Sequence, residues 1–237
     1  AAASTAAVAA TVAAAEEAAA AGYRRLKVKI APGRDLGPLA AVRERLADLV
    51  LVADANGAYR AEDPGHRRLL GELDGLGLAA LEQPLRADDL AGLAGLSREL
   101  GTTVLLDESV ASAVHLDAAL ALGFRGAVSI KPARLGGLVA ARRMLRRCRE
   151  AGLGASIGGM LESGLGRRAA LALGALEGFD LPGELCPTGR YLAHDVVAPL
   201  VLDGGDLLVP DGPGIGAVVA ATELDRVTVR KRTWRAA

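Results

Sequence analysis

Aromatic side chains, cysteines and histidines are scarce in this sequence of 237 residues. Aromatics make up 3% of the chain, which argues against the stacking surfaces that bind single-stranded nucleic acids. The two cysteines, Cys148 and Cys186, lie far apart and form no CxxC pair, so neither a disulfide framework nor a structural zinc site is expected. The histidines His66, His115 and His194 show no metal-ligand spacing. This cysteine usage indicates a reducing compartment, and we expect a cytoplasmic protein.

A charge excess of either sign is also absent, because 28 Lys and Arg residues balance 28 Asp and Glu residues. Proteins that bind nucleic acid or membrane surfaces normally carry a positive patch, so neither partner is expected. Charge-free apolar runs of 18 or more residues are lacking, which argues against a membrane span. A small molecule is the expected partner, and an assembly of identical chains stays open.

Short apolar runs alternate with alanine-, leucine- and arginine-rich segments of helical spacing, which is the pattern of repeated strand and helix units. The predicted strands are residues 26–30, 49–54, 78–82, 103–107, 127–131, 154–158 and, with a weaker pattern, 178–183. The predicted helices are residues 5–21, 36–47, 63–73, 88–100, 114–122, 137–151 and 165–176.

The length of the repeat identifies the architecture. The charged residues that end the first five runs are separated by 25, 28, 25 and 24 residues, which is the length of one strand, one helix and two loops. The sequence therefore predicts an α/β fold, a (β/α)7β TIM-like barrel that lacks part of its first strand. One repeat before Lys29 falls near Ser4, so we expect that strand to start before residue 1.

The period is lost beyond Tyr191. We predict a barrel domain over residues 1–194 and a C-terminal tail over residues 195–237, with short strands at 196–202, 207–209 and 226–230. The glycine-rich stretch 211–216 is neither preceded by a strand nor followed by a helix, so it indicates a turn and not a phosphate loop.

Five charged residues end successive predicted strands: Lys29, Asp54, Glu82, Asp107 and Lys131. The carboxyl ends of parallel barrel strands converge on one face, so these residues are expected around one mouth. Three carboxylates there would repel one another, and a hard divalent cation, Mg²⁺ or alternatively Mn²⁺, relieves that repulsion. The lysines lie on either side, and a partly desolvated lysine beside a dication serves as a general base near neutral pH.

Six ordered blocks of residues resemble the enolase superfamily. They are KVKIAPG at 27–33, DANGAY at 54–59, LEQPL at 81–85, LDES at 106–109, IKPARLGG at 130–137 and GGMLESGLG at 158–166. Within that superfamily they look most like the group of o-succinylbenzoate synthases and N-acylamino acid racemases. Pairing a lysine base with Mg²⁺ is described chemistry of that superfamily.

The resemblance implies that Asp54, Glu82 and Asp107 bind Mg²⁺ and that Lys29 and Lys131 form an acid/base pair. It implies a lyase that dehydrates 2-succinyl-6-hydroxy-2,4-cyclohexadiene-1-carboxylate to o-succinylbenzoate in menaquinone biosynthesis, with Lys29 removing the α-proton. An N-acylamino acid racemase, in which each lysine serves one face of the same carbon, is the alternative within this chemistry. A non-catalytic, truncated barrel is the alternative outside it.

Further residues are candidates for contact with a carboxylate substrate or for support of the metal ligands. The substrate candidates are Lys27, Asn56, Arg134, Gly158, Gly159 and Met160, and the supporting candidates are Glu108 and Ser109. Lys27 points to the same face as Lys29 by strand alternation, although a solvated rim lysine is the alternative. A simple turn is the alternative for Asn56, a loop salt bridge for Arg134 and core packing for Met160.

The superfamily resemblance also implies an N-terminal capping domain that covers the barrel mouth, and these 237 residues do not include it. We therefore expect the tail to expose apolar side chains, namely Val196, Val197, Leu200 and Val201. Three alternatives stay open: the cap belongs to a part of the protein outside these residues, it belongs to a separate chain, or the protein is a truncated relative. If the protein does begin at Ala1, the mouth stays wet and we expect metal binding without efficient turnover.

Overall fold

A six-stranded parallel sheet forms the centre of the computed structural model, which describes residues 4–234. The strands are β1 (Arg25–Lys29), β2 (Val50–Asp54), β3 (Ala80–Glu82), β4 (Val104–Leu106), β5 (Ala127–Ile130) and β6 (Gly154–Ile157). They neighbour one another in chain order, so β1 and β6 are the two edges of an open half-barrel. The predicted α/β barrel architecture is confirmed for these six strands.

Helices connect the strands and cover the outer face of the sheet. They are α1 (Thr5–Ala20), α2 (Leu36–Arg45), α3 (Pro64–Asp74), α4 (Leu90–Glu99), α5 (Ala113–Ala121), α6 (Pro132–Leu135), α7 (Leu138–Glu150) and α8 (Gly164–Gly174). In α7 the buried residues Ala141, Met144, Leu145 and Cys148 follow the spacing of one helical face. Asp63 caps α3 and Pro64 occupies its first turn, as helix starts prefer.

The prediction of a seventh strand over residues 178–183 is wrong, because this segment forms no regular strand. Two backbone bonds place the segment beside β6, from Leu181 N–H to the Ala155 carbonyl (3.1 Å) and from Glu184 N–H to the Ile157 carbonyl (2.8 Å). Three residues of the segment thus span two residues of β6, which interrupts the ladder as a bulge does. Pro182 in between has no N–H to donate.

The main hydrophobic core lies between the sheet and its helices. Its largest fully buried side chains include Leu39, Leu51, Leu70, Leu93 and Leu116. A second, small cluster of Val52, Ala80, Leu105 and Ala127 fills the inside of the half-barrel. Aliphatic side chains thus suffice to fill the inside of the half-barrel, and no aromatic residue of the described chain belongs to this cluster.

The tail packs against the half-barrel more closely than the sequence indicated. Val197 and Leu200 are buried, so the expectation that both are exposed is wrong, whereas Val201 is 72% exposed. Arg168 in α8 donates to the Ala198 carbonyl (3.0 Å) and so fastens this segment. The boundary at residue 194 stays a prediction.

The tail contains less strand than predicted. Its strands are β7 (Leu202–Asp203) and β8 (Asp206–Leu207), which pair as a hairpin, and a helix α9 (Ala221–Val227) covers the start of the predicted strand 226–230. An alternating pattern in four or five residues does not distinguish strand from helix once no neighbouring strand is available. The outermost parts of both predicted domains, residues 1–3 and 235–237, lie outside the described residues. None of the helices within residues 4–234 is long and apolar enough to cross a membrane.

Candidate active site

The charged strand ends lie at the carboxyl edge of the sheet, side by side. In the sheet register Lys29 is opposite Asp54, and Asp54 is opposite Glu82. Asp107 and Lys131 directly follow β4 and β5. Asp54, Glu82, Asp107 and Lys131 are buried, whereas 63% of the Lys29 side chain is exposed. The structure therefore brings all five residues to one mouth.

Lys27 lies one pleat below Lys29 on β1 and occupies the centre of the carboxylates. Its Nζ is 2.9 Å from Asp54 Oδ2 and 3.2 Å from both carboxylate oxygens of Glu82. It also forms an ion pair with Glu184, and only 11% of its side chain is exposed. Lys27 is therefore a buried member of the site in this structure and not a solvated rim residue.

The two remaining lysines hold the outer carboxylates. Lys29 Nζ is 2.6 Å from Asp54 Oδ2, and Lys131 Nζ is 2.8 Å from Asp107 Oδ2. Arg134, one turn beyond Lys131, forms a second ion pair with Asp107. Each of the three carboxylates thus has at least one cationic partner, which offsets the cost of burying it.

Asn56 and Glu108 extend the network outward from Lys29. Asn56 Oδ1 lies 2.6 Å from Lys29 Nζ, and Asn56 Nδ2 donates to Glu108 Oε1 (2.9 Å). Asn56 adopts a left-handed backbone conformation with φ of 42°, which asparagine tolerates better than most residues. It therefore both forms the turn after β2 and reaches Lys29, so the two interpretations considered for it are compatible.

Gln83 was not identified from the sequence, although it fixes the loop that carries Asp107. Its Oε1 accepts from the backbone N–H groups of Asp107 (3.0 Å) and Ser109 (3.2 Å), and its Nε2 donates to Ser109 Oγ (2.7 Å). Gln83 is buried and has φ of 39°. Ser109 thus supports this loop through Gln83. The position of Gln83 directly after Glu82 was the only feature of the sequence that pointed to a role for Gln83 in the site.

The two glycines after β6 give space to neighbouring charged side chains. A Cβ on Gly158 would lie 2.7 Å from Cγ and Cε of Lys131, and one on Gly159 would lie 2.0 Å from Nη1 of Arg167. Arg167 is buried and donates from Nη2 to the Met160 carbonyl (2.8 Å). Substrate contact by Gly158, Gly159 and Met160 stays a prediction, and 44% of Met160 is exposed.

Burial and neighbouring charges shift the pKa values of Glu82 and Asp54 in opposite directions. Burial, with the nearby negative charges of Asp54, Glu184 and Asp107, raises the pKa of Glu82 to about 7, against the opposing effect of Lys27. Burial opposes ionisation of Asp54 too, but the ammonium groups of Lys27 and Lys29 lower the pKa of Asp54 below its ordinary value. Asp54 is therefore the more firmly ionised of the two.

The chemistry of the donor set fits a hard divalent cation, since Asp54, Glu82 and Asp107 offer only carboxylate oxygens. The carboxylates form ion pairs with Lys27, Lys29, Lys131 and Arg134. These cationic side chains supply the positive charge that a bound metal ion would otherwise supply. In this arrangement no group of three or more His, Cys, Asp or Glu side chains within residues 4–234 is poised to hold a metal ion. Metal binding thus requires these carboxylates to exchange partners.

In enzymes built on parallel α/β barrels, the active site lies at the carboxyl ends of the strands. The charged residues of this chain occupy that position, which places it in the class of barrel enzymes. The model of the family described as enolase C-terminal domain-like matches residues 10–223. The chain therefore belongs to this family of the enolase superfamily, as its sequence motifs predicted.

The relatives agree with this assignment. The chain is 45% identical over 211 residues to an N-succinylamino acid racemase of Amycolatopsis sp, and 43% identical over 208 residues to an o-succinylbenzoate synthase of Geobacillus stearothermophilus. These alignments cover 89% and 87% of this chain, and 56% and 55% of the relatives, so the chain spans about half the length of the curated relatives it matches. A probable mandelate racemase from Alicyclobacillus acidocaldarius superimposes with a TM-score of 0.87 and 39% identity, covering 94% of this chain and 58% of that one.

Glu184 is the second residue that sequence reasoning missed. It lies 53 residues after Lys131, which is two repeat lengths, so the period itself pointed to this position as a strand end. The irregular segment 178–183 before it weakened that signal. Its contact with Lys27 adds a further carboxylate to the mouth.

Proposed function

We propose that this chain acts in a Mg²⁺-dependent lyase reaction, the dehydration of 2-succinyl-6-hydroxy-2,4-cyclohexadiene-1-carboxylate to o-succinylbenzoate. The observation that carries the proposal is the order of charges around the mouth. Three carboxylates stand at adjacent strand ends, and Lys29 and Lys131 are held by the two outer ones. The o-succinylbenzoate synthases among the relatives support the choice of substrate.

Each lysine has a separate task in this reaction. Lys29 Nζ, exposed above the sheet, takes the proton from the carbon next to the substrate carboxylate and returns it to the departing hydroxyl group. A C–H and a C–O bond break, a C=C bond forms and water leaves, so the step balances. Lys131 is buried, and its side-chain nitrogen is placed to stabilise the enolate.

Asp54, Glu82 and Asp107 would hold the Mg²⁺ ion, with Mn²⁺ as the alternative. When bound, such an ion stabilises the negative charge that develops on the substrate carboxylate. Lys27, Asn56 and Arg134 lie around these residues and are the candidates that position the carboxylate substrate. The two free cysteines favour a reducing, cytoplasmic location.

The decisive experiment is dehydration of that substrate by the purified chain, with Mg²⁺ and with a chelator. We expect Mg²⁺-dependent turnover that Lys29→Ala abolishes while Mg²⁺ affinity is retained. Lys231→Ala is the matched control, because Lys231 is exposed near the end of the tail. Equal turnover by the Lys29→Ala and Lys231→Ala variants would contradict the proposal.

N-succinylamino acid racemisation is the second candidate, favoured by the 45% identity to the racemase of Amycolatopsis sp. The two lysines hold opposite ends of the carboxylate row, which suits proton exchange on both faces of one carbon. Exchange of the α-proton of an N-succinylamino acid in D₂O, followed by proton NMR, distinguishes the two functions. Exchange without dehydration would favour the racemase, and dehydration without exchange would favour the synthase.

A further inference from the structure

Lys27 has three carboxylate partners, and they differ in kind. Asp54 and Glu82 belong to the proposed metal ligands, with Lys27 Nζ at 2.9 Å from Asp54 Oδ2 and 3.2 Å from the oxygens of Glu82. Glu184 does not belong to that set. Lys27 therefore has one partner that stays available when a divalent cation takes the other two.

Glu184 is held in place by its own backbone. Its N–H donates to the carbonyl of Ile157 at the end of β6 (2.8 Å), and its carbonyl accepts from Nη1 of the buried Arg167 (3.4 Å). Its side chain is 28% exposed and reaches Lys27 on β1, at the opposite edge of the sheet. The ion pair between Lys27 and Glu184 thus spans the opening of the half-barrel from a fixed position.

An ammonium group and a divalent cation compete for the same carboxylate oxygens, because like charges a few ångströms apart repel, and more so at low dielectric. A divalent cation between Asp54 and Glu82 therefore weakens the hold of both carboxylates on the Lys27 ammonium. Left without a partner inside the mouth, that ammonium would carry the cost of an unpaired buried charge. Glu184 removes that cost.

We propose that Lys27 competes with the divalent cation for Asp54 and Glu82, and that Glu184 is the positioning residue that keeps the Lys27 ammonium partnered once the cation is bound. This inference rests on the proposed metal site. It assigns Lys27 to the control of metal affinity and Glu184 to the stability of the metal-bound form.

The two residues then have opposite effects on Mg²⁺ affinity, measured by titration calorimetry of the metal-free chain. Lys27→Met removes the competitor, so Mg²⁺ binds about tenfold more tightly. Glu184→Gln removes the one carboxylate that remains for Lys27 when the cation is bound, so Mg²⁺ binds about tenfold more weakly. Lys27→Gln, which also removes the ammonium group but keeps a polar side chain, replaces Lys27→Met if the latter does not fold.

A double-mutant cycle separates this coupling from a general loss of negative charge. In the Lys27→Met background, Glu184→Gln should change Mg²⁺ affinity less than twofold. Glu184→Asp, which keeps the charge, should restore most of the affinity that Glu184→Gln loses. Glu162→Gln is the matched control, since Glu162 is a partly buried carboxylate in the same block of loops and pairs with Arg167 at 3.7 Å, not with Lys27.

The outcomes distinguish the inference from the proposed function. Affinity changes of opposite sign in the two single variants, with the effect of Glu184→Gln lost in the Lys27→Met background, support the inference. Equal weakening by Glu184→Gln in both backgrounds, or equal weakening by Glu162→Gln, overturns it while leaving the metal site intact. If the unmodified chain binds no Mg²⁺, the metal site fails and the inference fails with it.

Discussion

Lysine is used selectively in this chain. It occurs four times, at positions 27, 29, 131 and 231, whereas arginine supplies the rest of the 28 basic residues. The first three lysines converge on the carboxylates of the mouth, and arginines form the ion pairs of the outer helices. An amine that can give up its proton is thus placed where proton transfer is proposed, and permanently charged guanidinium groups form the surface ion pairs, with Arg134 and Arg167 as the arginines that pair near the mouth.

Gly158 is predicted to matter for activity more than for stability. An alanine Cβ there would lie 2.7 Å from the Lys131 stem and 2.6 Å from Ser129 Oγ, so Gly158→Ala shifts the Lys131 ammonium. We expect at least a tenfold loss of turnover with a smaller change in Mg²⁺ affinity, measured by the dehydration assay and calorimetry. Gly189→Ala, with no neighbouring atom within 4 Å of its Cβ, should leave both unchanged. Similar losses in the two variants would refute the steric argument.

The two cysteines are predicted to react very differently. Burial raises the pKa of the Cys148 thiol to about 12, whereas Cys186 is partly exposed. Iodoacetamide at about pH 8.5, near the ordinary thiol pKa, should label Cys186 and spare Cys148 until urea unfolds the chain. Because the unfolded thiol loses its proton at lower pH than the folded one, Cys148 makes stability fall as the pH rises above about 8.5. Mass spectrometry that finds equal labelling in the folded chain would contradict this.

Residues of the site that recur with the strand-and-helix repeat could be predicted from the sequence. Residues whose role depends on a loop conformation could not. Lys29, Asp54, Glu82, Asp107 and Lys131 each end a strand, so counting from one strand to the next placed them together. Gln83 acts from a left-handed turn that no periodic signal encodes. Glu184 does fall two repeat lengths after Lys131, but the irregular segment before it weakened that signal.

At the scale of elements, the strands and helices of the parallel sheet follow their sequence patterns. The predicted and observed strands agree within two residues for β1 to β6. Prediction failed at residues 178–183, where the ladder to β6 is interrupted and Pro182 has no N–H to donate, and at residues 226–230, which pair with no strand in the described part of the chain. Strand propensity expresses packing against neighbouring strands, so apolar residues without a strand partner do not form a strand by themselves.

Helix α4 contains two glycines with opposite predicted responses to alanine. A Cβ on Gly95 meets nothing within 4 Å, so Gly95→Ala should stabilise the chain by about 0.5–1 kcal/mol. A Cβ on Gly92 would lie 2.4 Å from Asp89 Oδ2 and 2.7 Å from Leu85 Cδ1, so Gly92→Ala should destabilise it by about 1–3 kcal/mol. Urea unfolding measures both, and changes of the same sign would show that helix propensity alone governs these positions.

At the scale of the whole molecule, the tail joins the half-barrel through Asp195. Its carboxylate accepts from the N–H of Gly164 at the start of α8 (2.9 and 2.8 Å) and from Thr188. Val197 packs against the same glycine, where a Cβ on Gly164 would lie 2.6 Å from Val197 Cγ2. One carboxylate thus caps a barrel helix and fixes the direction of the tail.

Removing that carboxylate should loosen the tail without opening the sheet. In Asp195→Ala we expect faster hydrogen exchange in the first turn of α8 and in residues 196–219, with exchange in β2 to β4 unchanged. Asp211→Ala, an exposed substitution within the tail, is the control. Faster exchange throughout the sheet would show that the tail is an integral part of the barrel and not an appended segment.

The central claim is that Asp54, Glu82 and Asp107 form a divalent-cation site at the mouth of the half-barrel. Titration calorimetry of Mg²⁺ into the chain and into Glu82→Gln tests it directly, with the exposed Glu177→Gln as control. We expect one Mg²⁺ per chain, with binding lost in Glu82→Gln and retained in Glu177→Gln. Undiminished binding by Glu82→Gln, or no binding by the unmodified chain, would contradict it.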